Sequence, residues 1–525
     1  MLFSLKSFSQ SGEWVWLTGD TIPNNVGSYG VQGKTNRTNN PPSLYEACEW
    51  TDTSGKFWLY GGLNGQNICS DLWRYDPILN EWTWMKGLHF ANFYGSYGIK
   101  GVPSPNNNPP SSSYGMNSWV DLNGNFWMFG GSNMPNYVYS DMWKYDITTN
   151  EWTWMNGPGS PNTLGFYGAK GVSSPNNYPA PRTESSASWT DNNGDLWLFG
   201  GEVYGTTLNG INDLWKYNIA SNEWTWVKGD SISNQRSIYG TRGVESPYNT
   251  PGGRLVYSKW KDNSGNLWFL GGDEVWNTGH ILKLDIWKFD VQTNNWVWVD
   301  GDSLVVSAGI VGPMCIMDDS YSPTFSIESR ASWKDTQGNF WGFIGGWRFE
   351  NSLWKYCPIA EQWAMIKADS SLHGCPRWGT RGVPSALNYP SALEGSIGWT
   401  DGHDNLYMFG GLSGCVSWSN ALWKYSIDST CGVCPLTTEV KNISEIESGF
   451  SVFPNPTNGT FEISLSNKSQ APQSEIEIYN ILGEKVYSTI LIGNTESINI
   501  SLRKGIYCIR LINGNKQFTK KVIVE

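Results

Sequence analysis

Short runs in which every second residue is apolar recur through residues 13–428, and their order repeats. Each unit opens on a Trp-x-Asp segment such as Trp119-Val120-Asp121, turns near a Gly such as Gly124, and continues into an apolar run ending in Gly-Gly. The pairs at 61–62, 130–131, 200–201, 271–272, 345–346 and 410–411 mark six units. An Asp side chain that caps the turn, followed by a Gly able to take positive φ, predicts a β-hairpin. After each Gly-Gly and a loop of variable length comes a third alternating run, such as Asp71-Leu72-Trp73-Arg74-Tyr75 or Leu353-Trp354-Lys355-Tyr356. Its period of two is that of a strand with one buried face. A fourth run follows an Asn-rich turn: Glu81 to Trp84, Glu151 to Trp154, Glu223 to Trp226, Asn295 to Trp298 and Gln362 to Met365. The sixth unit has no fourth run after Tyr425, while the chain opens with an unmatched one, Glu13-Trp14-Val15-Trp16. The expected arrangement is a closed ring whose last sheet is completed by the first strand, which leaves few edges to aggregate.

Units of Gly-Gly, then a Trp-Lys-Tyr strand, then a further Trp resemble kelch repeats. The resemblance implies an all-β fold: a six-bladed kelch β-propeller over residues 13–428, similar to the central domain of galactose oxidase. Kelch propellers include enzymes, lectin-like proteins and protein-binding scaffolds, so the fold leaves function open. The units here exceed the usual ~50 residues, and the fifth carries Ala364-Met365 where the others place Thr-Trp or Val-Trp. The repeated Trp residues read as core. At ~25 cal/mol/Å² each ring contributes at most about 4–6 kcal/mol on burial.

The turns after the first and third strands are short and uniform. The loops after the second strand and the connections between units are long and share the opposite end, where ligands are usually held. The recurring Tyr-Gly-x-x-Gly-Val elements read as architecture. The loops after the second strands differ, and offer Tyr137, Tyr139, Tyr204, Trp276, His280, Trp347, Arg348 and Trp418 as candidate ligand-binding residues. Aromatic platforms beside polar groups suit a sugar ring or a protein hot spot, so the expected function is a glycan- or protein-binding module. The connection Ser303 to Arg330 departs from the common pattern and carries Cys315, Asp318 and Asp319.

Composition narrows the chemistry. A net charge of −11 argues against nucleic acid, whose phosphates need a basic face. Charged residues are 16%, aromatics 15%, and no stretch is long and apolar enough to span a bilayer as a helix. The four His lie in different units without metal-ligand spacing, and no catalytic residue, metal or cofactor is assigned. The alternative is a carbohydrate-active enzyme resembling the six-bladed kelch sialic-acid mutarotases, with Glu202, Arg330 and Arg348 as its candidates. Nine Cys suggest disulfides in an oxidising compartment. The pairings expected are Cys357 with one of Cys431 and Cys434, and Cys375 with Cys415.

Every Trp lies at or before Trp423. Residues 450–525 hold 8 Lys+Arg and 6 Asp+Glu, a balance of +2, leaving 28 and 41, or −13, for the rest. Their short alternating runs predict a small antiparallel β-sandwich. Phe453-Pro454-Asn455-Pro456-Thr457-Asn458-Gly459, Tyr479 to Val486 with Gly483, Gly505-Ile506-Tyr507 and the closing Lys520-Lys521-Val522-Ile523-Val524 resemble the type A C-terminal sorting domain of the Bacteroidota type IX secretion system. The resemblance implies that the type IX machinery is a partner and that the protein is extracellular or on the outer-membrane surface. The organisation expected is an N-terminal remnant at 1–12, the propeller at 13–428, a linker at 429–449 and the sorting domain at 450–525. Met1 to Lys6 lead into the first strand without the apolar core of a signal peptide, so a truncated N-terminus or misplaced start is expected.

Overall fold

The computed structural model describes residues 12–65, 67–88, 92–133, 137–205, 209–303, 309–324, 328–344, 351–368, 374–415, 417–435, 450–465, 474–480, 484–491, 493–513 and 516–525. The chain divides into two compact units, Met1–Leu436 and Thr437–Glu525. All regular structure among the described residues is β, consistent with a kelch β-propeller, and none of it is a helix long and apolar enough to cross a membrane.

Among the described residues the first unit contains six antiparallel sheets with a common four-strand order, besides two two-stranded ones. The first sheet comprises Cys48–Thr51, Phe57–Tyr60, Leu72–Asp76 and Glu81–Lys86. The second to fifth begin with Ser113–Val120, Ala187–Thr190, Ser258–Lys261 and Ser332–Lys334 and repeat the pattern. The sixth has Ile397–Thr400, Asn405–Phe409 and Leu422–Ser426, and its fourth strand is Trp14–Thr18, antiparallel with Trp14 opposite Tyr425 and Trp16 opposite Trp423.

The Asp of each first turn is held by its own hairpin. Asp52 Oδ1 accepts the backbone N–H groups of Ser54 and Lys56, and Oδ2 accepts the Trp58 indole N–H at 2.8 Å. The same indole bond recurs from Trp127, Trp197, Trp268 and Trp341, and in the sixth sheet Tyr407 donates its hydroxyl to Asp401. The Tyr-Gly-x-x-Gly connections are likewise explained. Tyr29, Tyr97, Tyr167 and Tyr239 donate to Asp71, Asp141, Asp213 and Asp285 at 2.6–2.8 Å, tying each connection to the third strand that follows.

Six apolar clusters hold the sheets together, each shared by two of them: first with second, second with third, third with fourth, fourth with fifth, fifth with sixth, and sixth with first. A first-strand Trp stacks on a second-strand Phe of the next sheet. Trp50 lies on Phe126 at 5.2 Å, Trp260 on Phe340 at 5.2 Å, and Trp399 of the sixth sheet on Phe57 of the first at 5.4 Å. Offset stacking of this kind adds to the area buried.

The pairings Cys357–Cys434 and Cys375–Cys415 are present, with Cα atoms 5.7 and 5.3 Å apart. A third disulfide, Cys315–Cys431, gives the unusual connection before the fifth sheet a covalent role. Cys48, Cys69 and Cys508 are free.

The second unit packs a three-stranded sheet, Phe450–Phe453, Thr460–Leu465 and Thr495–Asn499, with a four-stranded one containing Ser474–Asn480, Lys485–Leu491, Gly505–Asn513 and Lys516–Val524. One core, including Phe461, Ile476, Ile498, Ile509 and Val522, serves both.

Candidate functional site

First strands from all six sheets line one cavity of about 420 Å³. The pattern follows from strand geometry: the Trp of each first strand turns into the inter-sheet core, so its neighbours on either side face the cavity. These neighbours are mostly small and hydroxylic, as with Ser118, Ser188, Thr190 and Ser332, except where Glu49, Lys259 and Lys261 place charge. Arg330, two residues before the fifth sheet, completes the lining. Its guanidinium lies 3.6 Å from Glu46 and 3.7 Å from Glu49, and Lys259 donates to Ser188 at 2.8 Å.

Next to this lining, the segments that precede the first strands interlock. Glu46 donates its backbone N–H to Gly395, and Gly395 donates its own to Glu328. Gly395 has φ +61°, and a Cβ there would stand 2.5 Å from the Tyr45 ring, so glycine is required both by conformation and by space. The Tyr45 hydroxyl donates to Glu328, and the Tyr45 and Tyr114 rings are 5.3 Å apart. Ser185 donates its hydroxyl to Glu46 at 3.2 Å, so the entries to four sheets bring Glu46, Glu184, Glu328 and Glu394 within electrostatic reach of one another. Burial pushes Glu46 up to about 7, with the Arg330 charge opposing it. Burial, then the Glu328 charge, pushes Glu394 up to about 7. Glu184 rises through burial and then through Glu46 and Glu328, and Glu49 through burial against Arg330 and Lys259. Burial brings Lys259 down to about 8. The region is acidic above and basic within, with Arg330 at the junction.

The described residues among those singled out from the loops lie on the loops of different sheets. Tyr137 and Tyr139 belong to the second sheet's loop. Tyr137 is half-exposed and meets Tyr94 edge-on at 5.3 Å, whereas Tyr139 is 2% exposed and packs inward, so it offers no platform. Tyr204 is half-buried in the loop of the third sheet. Trp276 and His280 stand on the fourth sheet's hairpin, Leu267–Trp276 and Gly279–Asp290, whose strands of 10 and 12 residues are the longest of the described first unit. There Arg236 covers the Trp276 ring at 4.0 Å, Glu274 accepts its indole N–H, and His280 pairs with Asp273 at 2.8 Å. Trp418 is half-buried and its backbone pairs with Asn24. Trp347 and Arg348 lie outside the described residues. Of the alternative enzyme set, Arg330 faces the cavity, and Glu202 sits on the third sheet's loop. Asp318 caps its own turn by accepting from Ser320, and its backbone pairs with Trp363.

Sequence reasoning missed Glu46, Glu49, Glu184, Glu328, Glu394 and Lys259. The signal was present: aligned on the Trp of each first strand, positions five and four before it read Tyr-Glu, Tyr-Gly, Glu-Ser, Leu-Val, Glu-Ser and Glu-Gly, so they vary where the flanking core repeats.

In the second unit the motif residues form a clasp. Asn455 donates to the Lys521 carbonyl at 2.8 Å and accepts the Ile523 N–H at 2.9 Å. Gly459, with φ +105°, approaches the Ile500 carbonyl where a Cβ would stand at 2.5 Å. Pro454 and Pro456 flank Asn455 on the surface, Lys520 lies over the Phe450 ring at 6.0 Å, and Lys521 is exposed beside the extended Gly505 strand. Gly483 lies outside the described residues.

The repeated hairpins, Trp-bearing third strands and Gly-Gly pairs are consistent with a kelch β-propeller, and a separate C-terminal unit follows. Comparison with known proteins agrees. The kelch motif matches residues 53–83, and the secretion system C-terminal sorting domain matches residues 451–525. Kelch domain-containing protein 10 of Bos taurus and that of Homo sapiens are each 25% identical over 189 residues, which is 36% of this chain and 34% of those proteins. The chain thus spans about a third of the length of these relatives. It carries a kelch motif and a sorting domain that indicates export from the cell through the type IX system.

Proposed function

We propose that the protein is an exported, non-enzymatic binding module: a six-bladed kelch propeller closed by its first strand, which engages a protein partner at the end where the connections converge. Closure is supported by the pairing of Trp14–Thr18 with Leu422–Ser426 and by the apolar cluster shared by the sixth and first sheets. The observation that carries the binding reading is the meeting of the segments before the first, fifth and sixth sheets around Glu46, Gly395 and Glu328. Residues that vary between repeats are brought together there, and residues that repeat are consumed by packing. A protein partner is favoured over a glycan because the loop aromatics fall on separate sheets and Tyr139 is buried. The sorting domain supports display outside the cell, attached or released. The test is a photo-cross-linking amino acid placed in the full chain at Tyr204, on the connection end, or at Ser54, on the opposite turns. Partner capture from Tyr204 and not Ser54 is expected; equal capture from both ends refutes the assigned face.

A further inference from the structure

Among the described residues, the carboxylates at the converging connections have little positive charge facing them beyond Arg330. Glu46 is 0% exposed; its Oε1 accepts from the Ser185 hydroxyl at 3.2 Å, and its Oε2 accepts no hydrogen bond from the described residues. Its ion pair among the described residues, to Arg330, is at 3.6 Å, and Arg330 is shared with Glu49. Glu184, Glu328 and Glu394 lie within electrostatic reach of Glu46, of one another, or of both. The Tyr114 ring, half-buried, feels all four, and Tyr45 stands beside it. Among the described residues no three of these carboxylates converge as metal ligands. A larger cation remains, one that satisfies carboxylates by several N–H groups and lies against aromatic faces. Charge-assisted hydrogen bonds and cation–π contact in a partly desolvated site favour such a group strongly.

We propose that this cluster of acids and tyrosines, built from Glu46, Glu184, Glu328, Glu394, Tyr45 and Tyr114, binds a protonated amino or guanidino group. The inference rests on the proposed binding face and specifies its chemistry: a lysine or arginine side chain of the partner, or a free polyamine of the same chemistry. Burial raises the proton affinity of these carboxylates, and an arriving cation reverses that rise.

Calorimetric titration of the full-length protein at low salt tests this with hexalysine, hexalysine acetylated on every side-chain amine, and spermidine. Hexalysine is expected to bind, and acetylation to weaken it at least about tenfold, the loss typical of a charge-assisted contact. Glu184→Gln and Glu394→Gln, both neutral and close in shape, are each expected to weaken hexalysine by about the same factor. Glu475→Gln, which removes the same charge from an exposed strand position in the second unit, is expected to change nothing. Spermidine bound without hexalysine assigns the same site to a free polyamine. Equal affinity for the acetylated peptide, an equal loss in Glu475→Gln, or no heat from any probe with the folded protein overturns the proposal. Capture from Tyr204 with binding of neither hexalysine nor spermidine refutes the cation site alone and leaves the binding face standing.

Discussion

At the scale of single residues, the buried glutamates couple the candidate site to pH. Glu46 and Glu394 each titrate near 4.5 when free and are pushed up to about 7 in the fold. Folding is therefore unpenalised by them below pH 4.5, loses stability progressively as pH rises from 4.5 to 7, and bears the full cost above 7. Lys259, brought down from 10.5 to about 8, acts in a separate window: it weakens the fold as pH falls from 10.5 through 8 and adds a constant term below that. Urea unfolding at pH 5, 6 and 8 is expected to show highest stability at pH 5, with Glu394→Gln flattening the decline. An unchanged slope in that variant contradicts the assignment. Arg330 moderates this cost, and its own burial is tolerated because two carboxylates attend it.

Among the elements, the opening strand is treated by its surroundings as a fourth strand. Asn39, Asn107, Asn177 and Asn249 donate side-chain N–H groups to the carbonyls of Trp82, Trp152, Trp224 and Trp296 in the fourth strands of the first four sheets. Asn388 donates to the Trp14 carbonyl at 2.9 Å in the same way, and to Val383 at 2.8 Å. Asn388→Ala leaves both carbonyls short of a donor and is expected to cost about 2 kcal/mol. A lowered midpoint in urea, together with faster amide exchange in Trp14–Thr18, checks it; an unperturbed strand shows that the clamp is dispensable. The disulfides Cys315–Cys431 and Cys357–Cys434 both fasten the segment after the last strand to the fifth repeat, beside the sheet that receives Trp14–Thr18. Cross-links spanning 116 and 77 residues restrict the unfolded chain more than short ones do. The four-strand unit, its Asp turns and the identity of the completing strand were legible in the sequence because a strand's period and a turn's chemistry are local. The Cys315 partner was not, since its distance from Cys431 along the chain carries no sign of proximity.

For the whole molecule, two compact units with separate cores imply separable roles. Removing residues 450–525 is expected to leave the first unit with an unchanged melting temperature and tryptophan emission, since every Trp lies outside that segment. In a host bearing a type IX system the truncated protein should accumulate inside the cell. Fractionation showing normal export of the truncated form removes the sorting assignment. The motif and repeat patterns were readable from the chain itself: alternation, Asp turns, Trp strands, Gly-Gly pairs and the Asn455 and Gly459 motif each depend on neighbours a few residues away. Where the candidate site lies was decided only by the tertiary structure. Glu46, Glu184, Glu328 and Glu394 belong to four different repeats and look like ordinary loop acids until the sheets bring them together. The physical reason is range: backbone geometry and turn chemistry act over a few residues, whereas desolvation and Coulomb coupling depend on which distant segments share the same low-dielectric space.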